Sequence, residues 1–351
     1  MQRRLVRNSS ILACAALVIA ILQGTALAQY KVTPLTSDQA GHAPNVDGHL
    51  MNAWGLARGA TSPWWVSDND TGVSTLYVHT GAPQQLVVAI PAASGDGPGS
   101  PTGIVFNGHG NFKVMESGVS QPSVFIFATL DGLIVGWNPK LDLFHAVIAV
   151  NNSKQGSVYT GLAITNNATG PNFVYAADAA NNRVDIYDEN WTLVGSFTDP
   201  QLPATFAPYN VRDINHVLYV TFASTGDSPG GILDKFSETG GLIKRLVTQN
   251  GPLNQPWGLA LAPANFGPFS NALLVSNNTP TGVINAIDPN TGKFLGRLTD
   301  QSGKLIHIDQ IWGMDFGGNN ANNGLSNTLF FTAGPSGYSH GLFGSIRFVS
   351  Q

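Results

Sequence analysis

Charge is scarce in this chain. Lys and Arg number 17 and Asp and Glu 21 among 351 residues, 11% in all, where soluble domains ordinarily carry about 25%. The surface must therefore rely on Asn, Ser, Thr and Gln for its polarity. No basic run occurs beyond the first residues and the net charge is −4, which argues against nucleic acid as a partner. Cysteine is reduced to Cys14, so no intramolecular disulfide is available and the fold must be held by its core. A hydrophobic content of 43% is enough for that. Glutamate is nearly missing, with only Glu116, Glu189 and Glu238. Sustained helical periodicity with caps is absent after the first 28 residues, which excludes a helical bundle. The one notable apolar run, residues 11–22, is short of the about 20 residues a membrane span needs.

That run has a context. Arg3, Arg4 and Arg7 precede it, and Ala26-Leu27-Ala28 supplies small residues at −3 and −1 before Gln29, the layout of a cleavable export signal. Cys14 lies near the start of the apolar run, where a lipid-bearing cysteine is not expected. Residues 1–28 read as a signal peptide and 29–351 as the mature chain, located in the periplasm or outside the cell, with no stable membrane insertion after cleavage.

Glycine is abundant, with 40 residues, and 21 prolines join it in punctuating a repeat. One motif recurs six times: Asn52-Ala-Trp-Gly-Leu-Ala, Pro101-Thr-Gly-Ile-Val-Phe, Tyr159-Thr-Gly-Leu-Ala-Ile, Pro208-Tyr-Asn-Val-Arg-Asp, Pro256-Trp-Gly-Leu-Ala-Leu and Ile311-Trp-Gly-Met-Asp-Phe. The aligned Gly or Asn stands at 55, 103, 161, 210, 258 and 313, steps of 48 to 58 residues. Each copy is followed by a second apolar run such as Trp64-Trp-Val-Ser-Asp. A third such as Gly282-Val-Ile-Asn-Ala-Ile-Asp and a fourth such as Phe294-Leu-Gly-Arg-Leu-Thr-Asp complete the unit. Six units of four short strands predict an all-β, six-bladed β-propeller. The last copy has only three strands, whereas Tyr30-Lys-Val-Thr-Pro-Leu-Thr-Ser-Asp is an orphan at the other end. The N-terminal strand is thus expected to complete blade six, leaving no open edge at the seam.

The segment Val174-Tyr-Ala-Ala-Asp-Ala-Ala-Asn-Asn-Arg-Val-Asp-Ile-Tyr-Asp resembles NHL-repeat propellers. The mature chain also resembles a family of secreted bacterial propellers, some ending in a PEP-CTERM sorting anchor. That likeness is carried by Asn52-Ala-Trp-Gly-Leu-Ala, Asp131-Gly-Leu-Ile-Val-Gly-Trp-Asn, Pro256-Trp-Gly-Leu-Ala-Leu-Ala-Pro and His340-Gly-Leu-Phe-Gly-Ser-Ile. It implies the fold and brings no established activity with it.

In such propellers the loops entering the inner strands share a face with the mouth of the central channel, the ordinary place for a ligand. Trp54, Tyr209, Trp257 and Trp312 directly precede the aligned Gly or Asn and form an incomplete aromatic collar there, suited to a glycan or aromatic ligand, or else to packing between blades. His340 is assigned to the same face. Second-strand ends add Asp68, Asn69, Asp131, Asp178, Asp227, Asn277 and Asn278. Of these, Asp68, Asp178 and Asn277 are the foremost candidates to hold a divalent metal such as Ca²⁺, with turn-stabilising hydrogen bonds as the alternative role. None of the three glutamates starts an inner strand, a departure from the metal-binding gluconolactonase kind of propeller. Gly226-Asp-Ser-Pro-Gly and Gly337-Tyr-Ser-His-Gly match a nucleophile-elbow pattern, but strands rather than helices follow them. No His spacing fits zinc. The expectation is an exported binding or scaffold propeller that presents its channel face to a glycan, small molecule or protein partner. The alternative is a metal-assisted hydrolase or lyase at the channel mouth.

Overall fold

A computed structural model describes residues 29–226 and 228–349. The leader expected at 1–28 and Asp227 lie outside the described residues. Six four-stranded antiparallel sheets stand around an axis, each built from one copy of the repeat, so the chain is an all-β propeller with six blades. The inner strands are Ala53–Arg58, Pro101–Phe106, Tyr159–Ile164, Phe206–Asp213, Pro256–Leu261 and Ile311–Phe316. They contact one another in sequence around the axis, and the last meets the first.

The seam closes as expected. Tyr30–Ser37 pairs antiparallel with Leu342–Phe348, from Tyr30 opposite Phe348 to Ser37 opposite Leu342, and becomes the outer strand of blade six. A short strand, Asn45–Val46, then runs parallel to it and covers its free edge. Blade two holds the longest step of the repeat because a hairpin, Lys113–Glu116 with Val119–Pro122, is inserted after its inner strand. Two 3-10 turns, Ser153–Gln155 and Gly267–Phe269, are the helical segments among the described residues. None is long and apolar enough to cross a membrane.

Large apolar side chains from facing sheets interlock between blades. Trp65 of blade one stacks on Phe125 of blade two at 4.2 Å, with Trp137 at 4.7 Å. Near the axis the blades come too close for any side chain, which is why the motif centres on glycine. A Cβ at Gly103 would lie 2.4 Å from Leu162 N, and one at Gly55 would lie 2.3 Å from Thr102 O. Asn210, the exception, uses its side chain as a strut: its Nδ2 donates to Trp257 O at 2.9 Å. Gly103→Ala therefore forces backbone apart and should cost about 1–3 kcal/mol or more. Gly48→Ala, with nothing within 4 Å of its added carbon, should leave the melting temperature unchanged. Thermal melts of the two variants check this, and equal stability would show that the axial contacts yield.

Candidate functional site

The four aromatic residues expected as a collar do converge at one end of the axis, but they fill it. Trp54 and Trp312 stack at 3.7 Å, and Trp257 stands edge-on to both at 6.2 and 5.7 Å. Tyr209 leans on Trp312 at 5.8 Å, and Tyr338 covers it from the loop above at 5.6 Å. The indoles are 7%, 4% and 1% exposed for Trp54, Trp257 and Trp312. Their N–H groups are all engaged inside the protein. Those of Trp54 and Trp312 donate to Asn52 Oδ1 at 3.0 and 3.2 Å, and that of Trp257 donates to Thr160 O at 2.9 Å. The three indoles pack on one another and are almost wholly buried, so the arrangement is a plug. Each tryptophan follows by two positions a residue in the left-handed region, Asn52, Gln255 or Gln310, with φ of 47°, 47° and 48°. That turn aims the indole at the axis.

The residues expected to hold a metal make local hydrogen bonds. Asp68 is fully buried; its Oδ2 accepts from Thr75 N and Oγ1 at 3.1 and 2.7 Å, while its Oδ1 is buried without a partner among the described residues. Burial holds its carboxyl well above the usual range. Asp178 accepts from Val158 N, Asn181 N and Asn181 Nδ2. Asn277 donates to Pro252 O and accepts from Asn285 Nδ2. Among the described residues no group of three or more His, Cys, Asp or Glu side chains is placed to hold a metal ion. Asn69 and Asn278 tie neighbouring blades together, donating to Pro101 O and Ile311 O.

His340 sits in a clasp. Its Nδ1 lies 2.7 Å from Asp38 Oδ2 and its Nε2 2.9 Å from Gln39 Nε2, linking the last hairpin to the N-terminal segment. Ser339 beside it donates to Ser336 O, not to the imidazole, so no Ser–His pair forms. The loop reaches this shape through three successive left-handed residues, Ser336, Gly337 and Tyr338.

A concave polar site lies at the opposite end of the axis, where the inner strands leave it. A cavity of about 190 Å³ opens there, walled by apolar residues such as Leu56, Ile104 and Leu162 and carrying Arg58, Arg212, Asp213 and Asp315. A continuation of about 30 Å³ runs inward between the glycines and ends at Trp257, so the plug forms its floor. Arg212 Nη2 bonds Asp315 Oδ2 at 2.8 Å, joining blades four and six. Arg58 Nε donates to Phe316 O at 2.8 Å, and its guanidinium lies 5.6 Å from the Trp64 ring centre. Asp213 Oδ1 accepts from His216 N, while its Oδ2 is buried without a partner among the described residues. Burial, and then the charge of Glu238, push its carboxyl up to about 6. Glu238 is in turn bonded to His216 at 3.1 Å and to Asn167 at 3.3 Å. The two cationic and two acidic groups give this mouth both signs of charge on a concave apolar wall.

These four residues are not among the site candidates drawn from the sequence. Each stands two or three places after the aligned Gly or Asn, inside a strand that is otherwise apolar. A charge within an inner strand was the available signal.

No protein-family model matches the chain. An uncharacterised protein of Acanthamoeba polyphaga mimivirus is 30% identical over 344 residues, covering 92% of this chain and 86% of that protein. The chain belongs to that protein's family. A second uncharacterised protein of the same virus is 28% identical over 345 residues, covering 92% of this chain and 81% of its own length. Solved propellers superpose at lower identity. A streptogramin B lyase gives a TM-score of 0.54 at 12% identity, covering 92% of this chain and 99% of that one. The soluble aldose sugar dehydrogenase of Escherichia coli in its apo form gives 0.53 at 11%, covering 92% and 100%. At such identities these likenesses establish the six-bladed fold alone.

Proposed function

We propose that this family member is an exported binding propeller that holds a small charged organic molecule in its axial cavity. One observation carries the reading: Arg58, Arg212 and Asp315, from blades one, four and six, meet on a single concave surface backed by apolar wall. A ligand with a carboxylate or phosphate end would take the guanidinium donors, which bind such groups in bidentate fashion. A donor group on the same ligand would face Asp315 and Asp213. The aromatic end offers less, because its rings and N–H groups are already covered, so a glycan platform there is the weaker alternative. A metal-assisted reaction using Asp178 and Asn277 would first have to break the hydrogen bonds they already make, and Asp68 offers only its buried Oδ1. Export rests on the leader expected at 1–28, which leaves 29–351 as a single propeller in the periplasm or outside the cell.

A thermal-shift screen of small carboxylates, phosphates and amino acids tests the reading. At a hundredfold excess over Kd a one-site ligand stabilises the folded state by about 2.7 kcal/mol, a rise of roughly 4 °C for a domain of this size. Arg212→Ala should weaken binding of any hit about tenfold or more, since a charged hydrogen bond is lost. Without ligand it should melt close to the parent, because a partly exposed ion pair contributes only about 0–1 kcal/mol. A hit retained in full by both Arg212→Ala and Arg58→Ala would place the site elsewhere.

A further inference from the structure

We propose that the axial cavity takes up an anionic ligand together with a proton, which lodges between the carboxyl groups of Asp213 and Glu238. This rests on the ligand reading above and adds what sets the affinity. Asp213 ends the inner strand of blade four, next to Arg212, and lines the cavity. Its two oxygens are in different situations. Oδ1 accepts from His216 N at 3.1 Å, whereas Oδ2 is buried without a donor among the described residues. The carboxyl of Glu238, in the turn between the third and fourth strands of the same blade, lies against it. Glu238 is itself held in place. One carboxylate oxygen lies 3.1 Å from His216 Nδ1, the other accepts from Asn167 Nδ2 at 3.3 Å, and its backbone O accepts from the Tyr175 hydroxyl at 2.7 Å. Asn167 and Tyr175 belong to blade three, so the contact spans two blades.

Two carboxylates in contact repel each other, and a buried oxygen without a donor is costly. The guanidinium beside them does not relieve this, because Arg212 Nη2 is bonded to Asp315 Oδ2. One proton taken from solvent removes both defects: Asp213 Oδ2 then carries it and donates to the Glu238 carboxylate. Burial and the Glu238 charge accordingly push the Asp213 carboxyl up to about 6. The same proton changes the charge of the cavity. Its wall carries Arg58 and Arg212 against Asp315 and Asp213. With Asp213 ionised these charges balance, and with Asp213 protonated a net positive charge is left for an anion. Proton and anion therefore raise each other's affinity by the same factor.

The probe is sulfate, whose charge is constant across the range, titrated calorimetrically into the purified protein from about pH 5 to about pH 8. Its affinity should fall about fivefold over that interval, the effect of one added negative charge near the site. Asp213→Asn should make the affinity independent of pH, and Glu238→Gln should move the fall to lower pH. A parent affinity that does not change with pH, or an Asp213→Asn protein that keeps the parent's dependence, would overturn the proposal and leave the ligand site standing. Absence of sulfate binding at every pH, or binding untouched by Arg212→Ala and Arg58→Ala, would overturn the ligand reading with it. Melting without ligand gives a second measure. Asp titrates near 3.9 in an unfolded chain. The folded value is higher, so the native state binds the extra proton, and this stabilisation is lost as pH rises from about 4 to about 6. Asp68, Asp185 and Asp234 are also held up by burial, and comparison with Asp213→Asn cancels them. That variant should gain about 2 °C on the parent between about pH 4.5 and 7.5, allowing for solvent screening. No gain would show that Asp213 holds no proton in the fold and would overturn the proposal.

Discussion

Deleting residues 29–37 from the mature chain should abolish cooperative melting of the propeller. The segment is one strand of the 27 among the described residues, yet it closes the ring. Seven of its residues pair with Leu342–Phe348, which otherwise ends blade six as an open edge of unpaired amides and carbonyls. Tyr30 sits between Phe266, Phe269 and Phe348 with ring centres at 4.9, 6.2 and 5.7 Å, and its hydroxyl donates to Phe266 O at 2.8 Å. At the other end Leu35 is buried, and Thr36 Oγ1 donates to Gly81 O at 2.6 Å, tying the strand to blade one. Truncation of one such aromatic, Tyr30→Ala, should cost about 3–5 kcal/mol. Domains have only about 5–15 kcal/mol in total, so loss of the whole strand exceeds what the rest can carry. Tyr30→Phe removes the hydroxyl alone and should cost about 1 kcal/mol. Circular dichroism melts with size-exclusion chromatography decide it. A deletion variant that stays monomeric and melts within a few degrees of the parent would mean that blade six stands on three strands.

This closure was legible in the sequence because it is a matter of counting: six inner-strand motifs, a last unit one strand short, and a spare strand at the other terminus. The repeat also located the tryptophans at one level of the axis, since Trp54, Trp257 and Trp312 occupy the same motif position. It could not tell a collar from a plug. That depends on the radius left between the inner strands, which is set by backbone approaches such as the one at Gly103 and appears only when all six blades are assembled. Arg58, Arg212 and Asp315 escaped for a related reason. Each occurs in one blade or two, so alignment of the repeats treats it as noise, while ring closure brings the three to one mouth. Asp68 and Asp178 recur at second-strand ends, where the hydrogen bonds of Asp178 to Val158 and Asn181 hold a turn.

Trp312→Ala should therefore act on stability and not on recognition. Trp312 is 1% exposed and touches every other member of the plug: it stacks on Trp54, meets Trp257 edge-on, and lies under Tyr338. Removing it opens a large void on the axis, for which about 3–5 kcal/mol is the usual cost of an aromatic truncation. It also leaves Asn52 Oδ1 with one indole donor in place of two. The melting temperature should fall by about 4–7 °C. Trp312→Phe, which keeps most of the volume but loses the N–H, should lie between this variant and the parent. Binding at the far mouth, measured well below the transition, should change far less than with Arg212→Ala, because the plug contributes only the floor of the cavity through Trp257. A Trp312→Ala protein that melted like the parent but lost affinity for a soluble glycan would reverse the assignment, making the aromatic end the binding face and the charged mouth a structural vestibule.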